Sequence, residues 1–330
     1  MRRRDTLAGL LSLAALSPAC AKAQARARAM RIGVVPDFDE PFGGWFYEAM
    51  RDLGWMKGRD FVVIETGVPF GPQIEPAAKR MVLAAPELIF TVNTAYALAV
   101  HRLTKTIPIV MWTSGYPVEV GLAESLGRPG KNVTGNTNYA GTGVWGKLLE
   151  LLREVKPSAR RIGVLWDYVP PAHPREEVEQ PHRELRSAAR QLGLTINIVE
   201  VGHPDQAPGA MAAVEAERPD ALVVTTGTPL FRIQASVMRF AVERRLPTIV
   251  DFPWRPTIQP QPLLAFSPAA RDLIRRAVGY VDRIAKGAKA AELPIQQPAK
   301  FELLVNLRTA AAIGLSMPRA LLMRADRVVE

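Results

Sequence analysis

Short apolar runs rich in β-branched residues alternate along the chain with longer stretches whose apolar positions recur every three or four residues. Runs of the first kind at 31–35, 61–64, 87–92 and 107–112 predict buried strands. Stretches of the second kind at 44–53, closed by Gly54, and at 74–83 and 95–103 predict helices. Strands alternating with helices of about ten residues indicate βαβ units around a parallel sheet.

The pattern then starts again. Arg161-Ile162-Gly163-Val164 repeats Arg31-Ile32-Gly33-Val34, and Pro219-Asp220-Ala221-Leu222 answers Pro86-Glu87-Leu88-Ile89. Leu246-Pro247-Thr248-Ile249 answers Ile107-Pro108-Ile109-Val110, all in the same order and about 130–140 residues on. A helix at 176–192, stopped by Gly193, and a strand at 195–199 fill the interval. After this second unit come an amphipathic helix at 272–286, a strand at 301–307 and a short helix at 308–313 ended by Gly314. Elements placed there imply more than one crossing between lobes, which makes a hinge. The expected fold is α/β, with two doubly wound Rossmann-like lobes joined by that hinge. Residues 30–138 plus about 263–292 would form the first lobe, and 139–262 plus about 293–330 the second.

Residues 1–29 read as an export signal and a flexible lead-in. Arg2, Arg3 and Arg4 precede an apolar run at 7–16, and Ala21-Lys22-Ala23 offers a cleavage site. The run is too short to span a bilayer. Arg3-Arg4-Asp5-Thr6-Leu7 partly matches a twin-arginine signal, so the twin-arginine and general secretory routes both stay open. Cys20, the single cysteine, is a candidate lipidation site, but Ser17-Pro18-Ala19 before it makes a poor lipobox. A free periplasmic protein is the expectation. Cleavage after Ala23 would leave no cysteine, and with it no thiol catalysis, cysteine-held metal or disulfide.

Composition adds exclusions. The 330 residues are 48% hydrophobic and 22% charged, with a mean hydropathy of +0.02. These are globular proportions, far from collagen-like or mucin-like chains. The net charge of +10 points towards nucleic acid, but Arg2, Arg3, Arg4 and Lys22 belong to the leader. Arg271, Arg275, Arg276, Arg283 and Lys286 lie on a helix with an ordinary apolar stripe. Without a helix-turn-helix or zinc-finger pattern, no nucleic-acid partner is expected.

Enzymatic signatures are thin. Gly141-Thr142-Gly143-Val144-Trp145-Gly146-Lys147 imitates nucleotide-binding motifs, but no buried strand precedes it and Leu148 stands where a P-loop needs a hydroxyl. His101, His173, His182 and His203 lack metal-ligand spacing. Ser114-Gly115 lacks a nucleophile elbow. No cofactor, metal or catalytic residue is expected. Ligands of open parallel sheets bind at the carboxyl ends of strands. Those ends supply Asp37, Asn93, Thr94, Thr113, Ser114 and Tyr116 in the first unit. The second supplies Asp167, Tyr168, Thr226, Thr228 and Asp251. Such groups hydrogen-bond a polar solute and stack on its apolar part.

Several segments carry a family likeness. Ile107-Pro108-Ile109-Val110, Pro117-Val118, Gly121-Leu122 and Arg128-Pro129-Gly130-Lys131-Asn132-Val133-Thr134-Gly135 resemble the ABC-transporter substrate-binding proteins of the tryptophan/tyrosine type. So do Gly146-Lys147-Leu148-Leu149-Glu150-Leu151-Leu152 and the tail motifs Lys286-Gly287-Ala288-Lys289, Leu293-Pro294, Lys300-Phe301-Glu302-Leu303 and Ala325-Asp326. The resemblance covers roughly residues 31–330. It implies a periplasmic, two-lobed class I binding protein whose assigned ligands are aromatic or related amino acids. It also implies ligand loops around Phe266 and Tyr116, and Asn136 is a further candidate ligand-binding residue. Phe266 and Pro268 stand where the family has tyrosine and glycine, and Tyr116 where it commonly has aspartate. The resulting expectation is an exported, monomeric solute-binding protein that delivers a small polar, amino-acid-like ligand to an ABC permease. An exported α/β enzyme using the same cleft and a ligand-sensing module of a receptor system are the competing readings.

Overall fold

The computed structural model describes residues 28–38, 41–67, 73–141, 143–168, 175–225, 227–251 and 259–330. Most of the expected export segment, Cys20 included, lies outside the described residues, as does Thr226.

The first half runs β1 (Met30–Val35), α1 (Phe42–Asp52), β2 (Phe61–Ile64), α2 (Ile74–Leu83), β3 (Leu88–Thr91), α3 (Thr94–Leu103), β4 (Ile109–Met111) and β5 (Val133–Gly135). Among the described residues these strands form a five-stranded parallel sheet in the order β2-β1-β3-β4-β5. The second half runs α4 (Gly143–Val155), β6 (Arg161–Asp167), α5 (Glu176–Gln191), β7 (Thr195–Val201), α6 (Ala207–Ala216), β8 (Ala221–Val224), α7 (Thr228–Glu243) and β9 (Thr248–Val250). It continues with β10 (Leu264–Pro268), α8 (Ala270–Ala285), β11 (Phe301–Asn306), α9 (Leu307–Ala312), α10 (Arg319–Arg324) and β12 (Arg327–Val329). Its described strands make a seven-stranded sheet in the order β12-β11-β10-β9-β8-β6-β7, parallel except for the β10–β11 pair.

The repeated sequence blocks build the same device in both lobes. Gly33 on β1 and Gly163 on β6 let a helix lie directly on the sheet. A Cβ at Gly33 would crowd Met81 of α2 and Pro86, and one at Gly163 would lie 2.8 Å from Val214 of α6. Arg31 N donates to Glu87 Oε1 at 3.0 Å, and Arg161 N donates to Asp220 Oδ2 at 2.8 Å. Each carboxylate closes the start of its strand pair. The residue two places before each acid, Ala85 or Arg218, turns the chain at a left-handed φ of 47° or 46°. The two lobes are therefore alike for a physical reason at the repeated glycine and at the repeated acid.

Some expectations need correction. Residues 132–139 read as polar and turn-like, yet Val133–Gly135 pair with β4 as an edge strand too short to show a period. Residues 264–268, expected with the first lobe, pair with β9 and β11 in the second sheet. Only from α8 does the chain rejoin the first: Leu273, Ile274, Ala277 and Val278 are buried with Ile32, Phe46 and Phe90. Leu293 and Ile295, expected with the second lobe, are buried in first-lobe cores, and Gln296 N donates to Gly135 O at 3.0 Å. The chain thus passes between the sheets three times among the described elements: from β5 to α4, from β10 to α8, and from Gln296 to β11. No helix among the described residues is long and apolar enough to cross a membrane.

Candidate ligand-binding cleft

The carboxyl ends of the parallel strands of both sheets face a cavity of about 220 Å³. From the first lobe its wall takes Pro36, Asp37 and Phe38 after β1, Phe42 on α1, Val92, Asn93 and Thr94 after β3, and Trp112 through Tyr116 after β4. From the second it takes Trp145 on α4, Trp166 and Asp167 on β6, Val178 and Pro181 on α5, Thr225 and Gly227 after β8, Phe231 on α7, and Asp251 after β9. Asn138 and Tyr139, in the first passage between lobes, close one side.

Of the residues expected from the sequence, Asp37, Asn93, Thr94, Thr113, Ser114, Tyr116, Asp167 and Asp251 are in this wall. Asn136 is not. It is fully buried, and its Nδ2 donates to Trp112 O at 3.0 Å and Leu273 O at 2.7 Å, tying the loop after β4 to α8. Tyr168 lies beyond the wall with the Arg175 guanidinium 5.0 Å over its ring. Phe266 stacks on Phe301 across the β10–β11 pair, centroids 5.2 Å apart, and Pro268 reaches the cavity instead. Thr228 opens α7 directly after Gly227.

The sequence reading missed most of the aromatic lining: Phe38, Phe42, Trp112, Tyr139, Trp145, Trp166 and Phe231. Trp145 carries a lesson. The glycine-rich stretch that imitated a nucleotide motif is the approach to α4, and its aromatic residue, not its glycines, meets the cavity. Trp145 and Trp166 lie 4.9 Å apart, and Phe42 lies 4.7 Å from Trp112.

The polar groups are held in place by their neighbours. Asp37 Oδ1 accepts from Thr66 N at 2.7 Å and Thr66 Oγ1 at 3.0 Å. Asn93 caps α3, its side chain accepting from Tyr96 N at 3.2 Å. Thr94 Oγ1 accepts from Gly115 N at 2.9 Å and shares a hydrogen bond with Ser114 Oγ at 3.1 Å. The Thr113 hydroxyl is buried without a protein partner. Such a group costs free energy until something pairs with it. No histidine is among the described wall residues, and no described cluster of acidic, histidine or cysteine side chains is placed to hold a metal.

One polar cluster spans the lobes at the cavity's side. The Tyr116 ring packs on the Tyr139 ring, centroids 4.5 Å apart. The Tyr139 hydroxyl donates to Glu184 Oε1 on α5 at 3.0 Å, as does Gln180 Nε2 at 2.7 Å. Burial, reinforced by the nearby Glu184 carboxylate, pushes the Tyr139 phenol up to about 12 and the Tyr116 phenol further. Both tyrosines are therefore neutral donors at neutral pH.

His182, two residues before Glu184 on α5, stands edge-on to Trp166 at 4.5 Å. Burial, then the Arg186 and Arg175 charges, lower its pKa to about 4. It is neutral in the fold but takes a proton in the unfolded chain below about pH 6.5. Its contribution is therefore complete above pH 6.5 and lost as pH falls towards 4, on the order of 2–3 kcal/mol. Denaturation at pH 7 and pH 4.5 should show a smaller acid-induced loss in His182→Leu than in the native sequence. Equal losses would contradict this.

Residues 46–329 match the family described as ABC transporter substrate binding protein. The chain belongs to that family. Proteins of this family are described as the substrate-binding components of ABC transporters. Members are typically extracellular or periplasmic. The tyrosine-binding protein of Clostridioides difficile (strain R20291) is 33% identical over 133 residues, which is 40% of this substrate-binding protein but only 37% of that relative. An ABC domain from Streptococcus pneumonia in complex with L-Trp superposes with a TM-score of 0.77 at 20% identity, covering 92% of this chain and 100% of that one. A conserved domain protein from Vibrio cholerae gives 0.80 at 20% identity, covering 91% and 100%. The ligand-free, open structure of a substrate-binding protein with adhesive properties from Clostridium difficile gives 0.64 at 21%, covering 91% and 99%. At these identities the likeness is one of fold: the two-lobed class I periplasmic-binding-protein architecture.

Proposed function

We propose that this protein is an exported, monomeric solute-binding protein that closes its two lobes over a small aromatic, amino-acid-like solute and presents the closed form to an ABC permease. The observation that carries this reading is the cavity wall, in which aromatic rings and carboxylates from both lobes converge on one small space. Burying an aromatic ring system of ~150–250 Å² gives roughly 4–6 kcal/mol at about 25 cal/mol per Å². That gain must offset the cost of immobilising the solute and the lobes. Because contacts to both lobes exist only in the closed form, the solute shifts the population towards it. The lobes divide at the three passages, with β1–β5, α8 and the segment to Gln296 on one side. Asp37, Asn93, Thr94, Thr113, Ser114, Tyr116, Asp167 and Asp251 are the proposed polar contacts, and no chemistry is done on the solute. The relatives named for tyrosine and in complex with L-Trp support an aromatic ligand.

Trp112, Trp145 and Trp166 report on the cleft directly. Titrating aromatic amino acids and their amines should change tryptophan emission saturably, with a matching calorimetric heat. No saturable change with any of them would overturn the reading. Export is tested separately by mass spectrometry of the mature N-terminus: a chain starting at Gln24 supports a free periplasmic protein, and a diacylated Cys20 a lipid anchor.

A further inference from the structure

Two buried polar groups at the side of the cleft lack partners, and each supplies what the other needs. Glu184, on α5 of the second lobe, is 8% exposed. Its Oε1 accepts from the Tyr139 hydroxyl at 3.0 Å and from Gln180 Nε2 at 2.7 Å. The Gln180 amide is itself oriented, because Arg183 Nη2 donates to its Oε1 at 2.7 Å. Glu184 Oε2 is buried and accepts from nothing. Tyr116, after β4 in the first lobe, is 6% exposed, and its buried hydroxyl has no acceptor. The nearby Trp145 indole can only donate, so it does not meet that need.

The two groups are neighbours. The Tyr116 ring packs on Tyr139, whose hydroxyl reaches Glu184, and the Glu184 charge acts on the Tyr116 phenol. A neutral phenol and an ionised carboxylate are donor and acceptor of a charge-assisted hydrogen bond, stronger than one between neutral groups. Buried and apart, each carries a desolvation penalty. Parting the lobes separates Tyr116 from Glu184 and admits water to both, so the penalty belongs to the closed form alone. Tyr139, in the first passage between lobes, cannot keep both its ring contact with Tyr116 and its hydrogen bond to Glu184 as they part.

We propose that Glu184 is a positioning residue that couples the lobes: on full closure its Oε1 keeps Tyr139 and its Oε2 takes the Tyr116 hydroxyl, so that one second-lobe carboxylate clamps the tyrosine pair of the cleft wall. This rests on the lobe closure proposed above and not on which solute binds. The clamp needs no solute. It raises the closed population beforehand, and with it, by the same factor, the apparent affinity for any solute that binds the closed form alone. Glu184 touches no solute and acts through the two rings, which do line the cavity.

The test uses the mature chain without solute, spin-labelled through cysteines at the exposed Leu83 and Met323, one on each lobe. Pulsed dipolar spectroscopy gives the distance distribution, and small-angle X-ray scattering of the unlabelled chain gives the radius of gyration. Glu184→Met should lower the closed-to-open ratio at least fivefold and enlarge the radius of gyration. Tyr116→Phe should act in the same direction by less, since Tyr139 keeps its bond, and should add nothing in the Glu184→Met background. Glu184→Gln, which keeps one acceptor, should fall between the native sequence and Glu184→Met. A native distribution in Glu184→Met, even with lowered thermal stability, shows a packing role only and overturns the proposal. Additive effects of Tyr116→Phe and Glu184→Met overturn the pairing. Should Glu184→Met fail to fold, Tyr116→Phe decides alone, and a native distribution in it overturns the clamp. Calorimetry that finds no solute sinks the solute-binding reading and leaves these outcomes as they stand.

Discussion

Gly135→Ala is expected to unfold at a temperature roughly 5 °C or more below that of the native sequence. Gly135 ends β5 with a φ of 129°, a region that L side chains rarely adopt. A Cβ there would lie 2.6 Å from Met111 N and 2.8 Å from Met111 C, and closer still to its carbonyl oxygen. Those are backbone atoms of β4, held by the parallel ladder in which Met111 is the register partner of Gly135. They cannot yield as the end of a flexible side chain would. Backbone strain of about 1–3 kcal/mol adds to overpacking of about 1–3 kcal/mol. Each kcal/mol lowers the midpoint by roughly 2–4 °C in a domain of this size class. The damage also spreads to the hinge, because Gly135 O accepts from Gln296 N at the last passage between lobes. Thermal denaturation followed by circular dichroism checks this, and an unchanged midpoint would contradict the register of β5.

Gly227→Ala is expected to cost at least tenfold in ligand affinity while leaving the fold standing. Its φ of −127° suits alanine, so the backbone is not strained. The new methyl would strike Asp167, which must leave its place at the start of α7. A wall carboxylate moved by an ångström loses much of its directed interaction, and one removed loses all of it. Asp167→Ala should therefore weaken binding by a similar factor, and the double variant should be no worse than either single one, as coupled neighbours behave. Calorimetric titration of the three variants with the tightest ligand of the native protein checks this. Additive losses would show that the two residues act separately.

The architecture was legible because its signals are periodic or repeated. The βαβ alternation gave both sheets. The paired Arg-Ile-Gly-Val blocks marked positions where a glycine admits a helix and an acid closes a strand start, as Gly33 with Glu87 and Gly163 with Asp220 demonstrate. The short strands β5 and β12 gave no period to read, at three residues each. The polar half of the cleft was also legible, since a strand's carboxyl end can be located once the strand is. The aromatic half was not. Trp145, Phe231 and Phe42 lie on helices, where an aromatic at apolar spacing looks the same whether it faces a core or a cavity. Asn136 and Phe266 misled for the converse reason: a side chain near a strand end can spend its contacts holding loops and strands together.

The central claim is that a solute closes two lobes, and the distance between them tests it most directly. A mature chain lacking Cys20 allows cysteines to be placed singly at Leu83 on α2 and Met323 on α10, both strongly exposed and one on each lobe. Spin labels there, measured by pulsed dipolar spectroscopy with and without saturating tyramine or L-tyrosine, should give a distance distribution that shifts and narrows on binding. A ligand heat measured by calorimetry alongside an unchanged distribution would contradict the account.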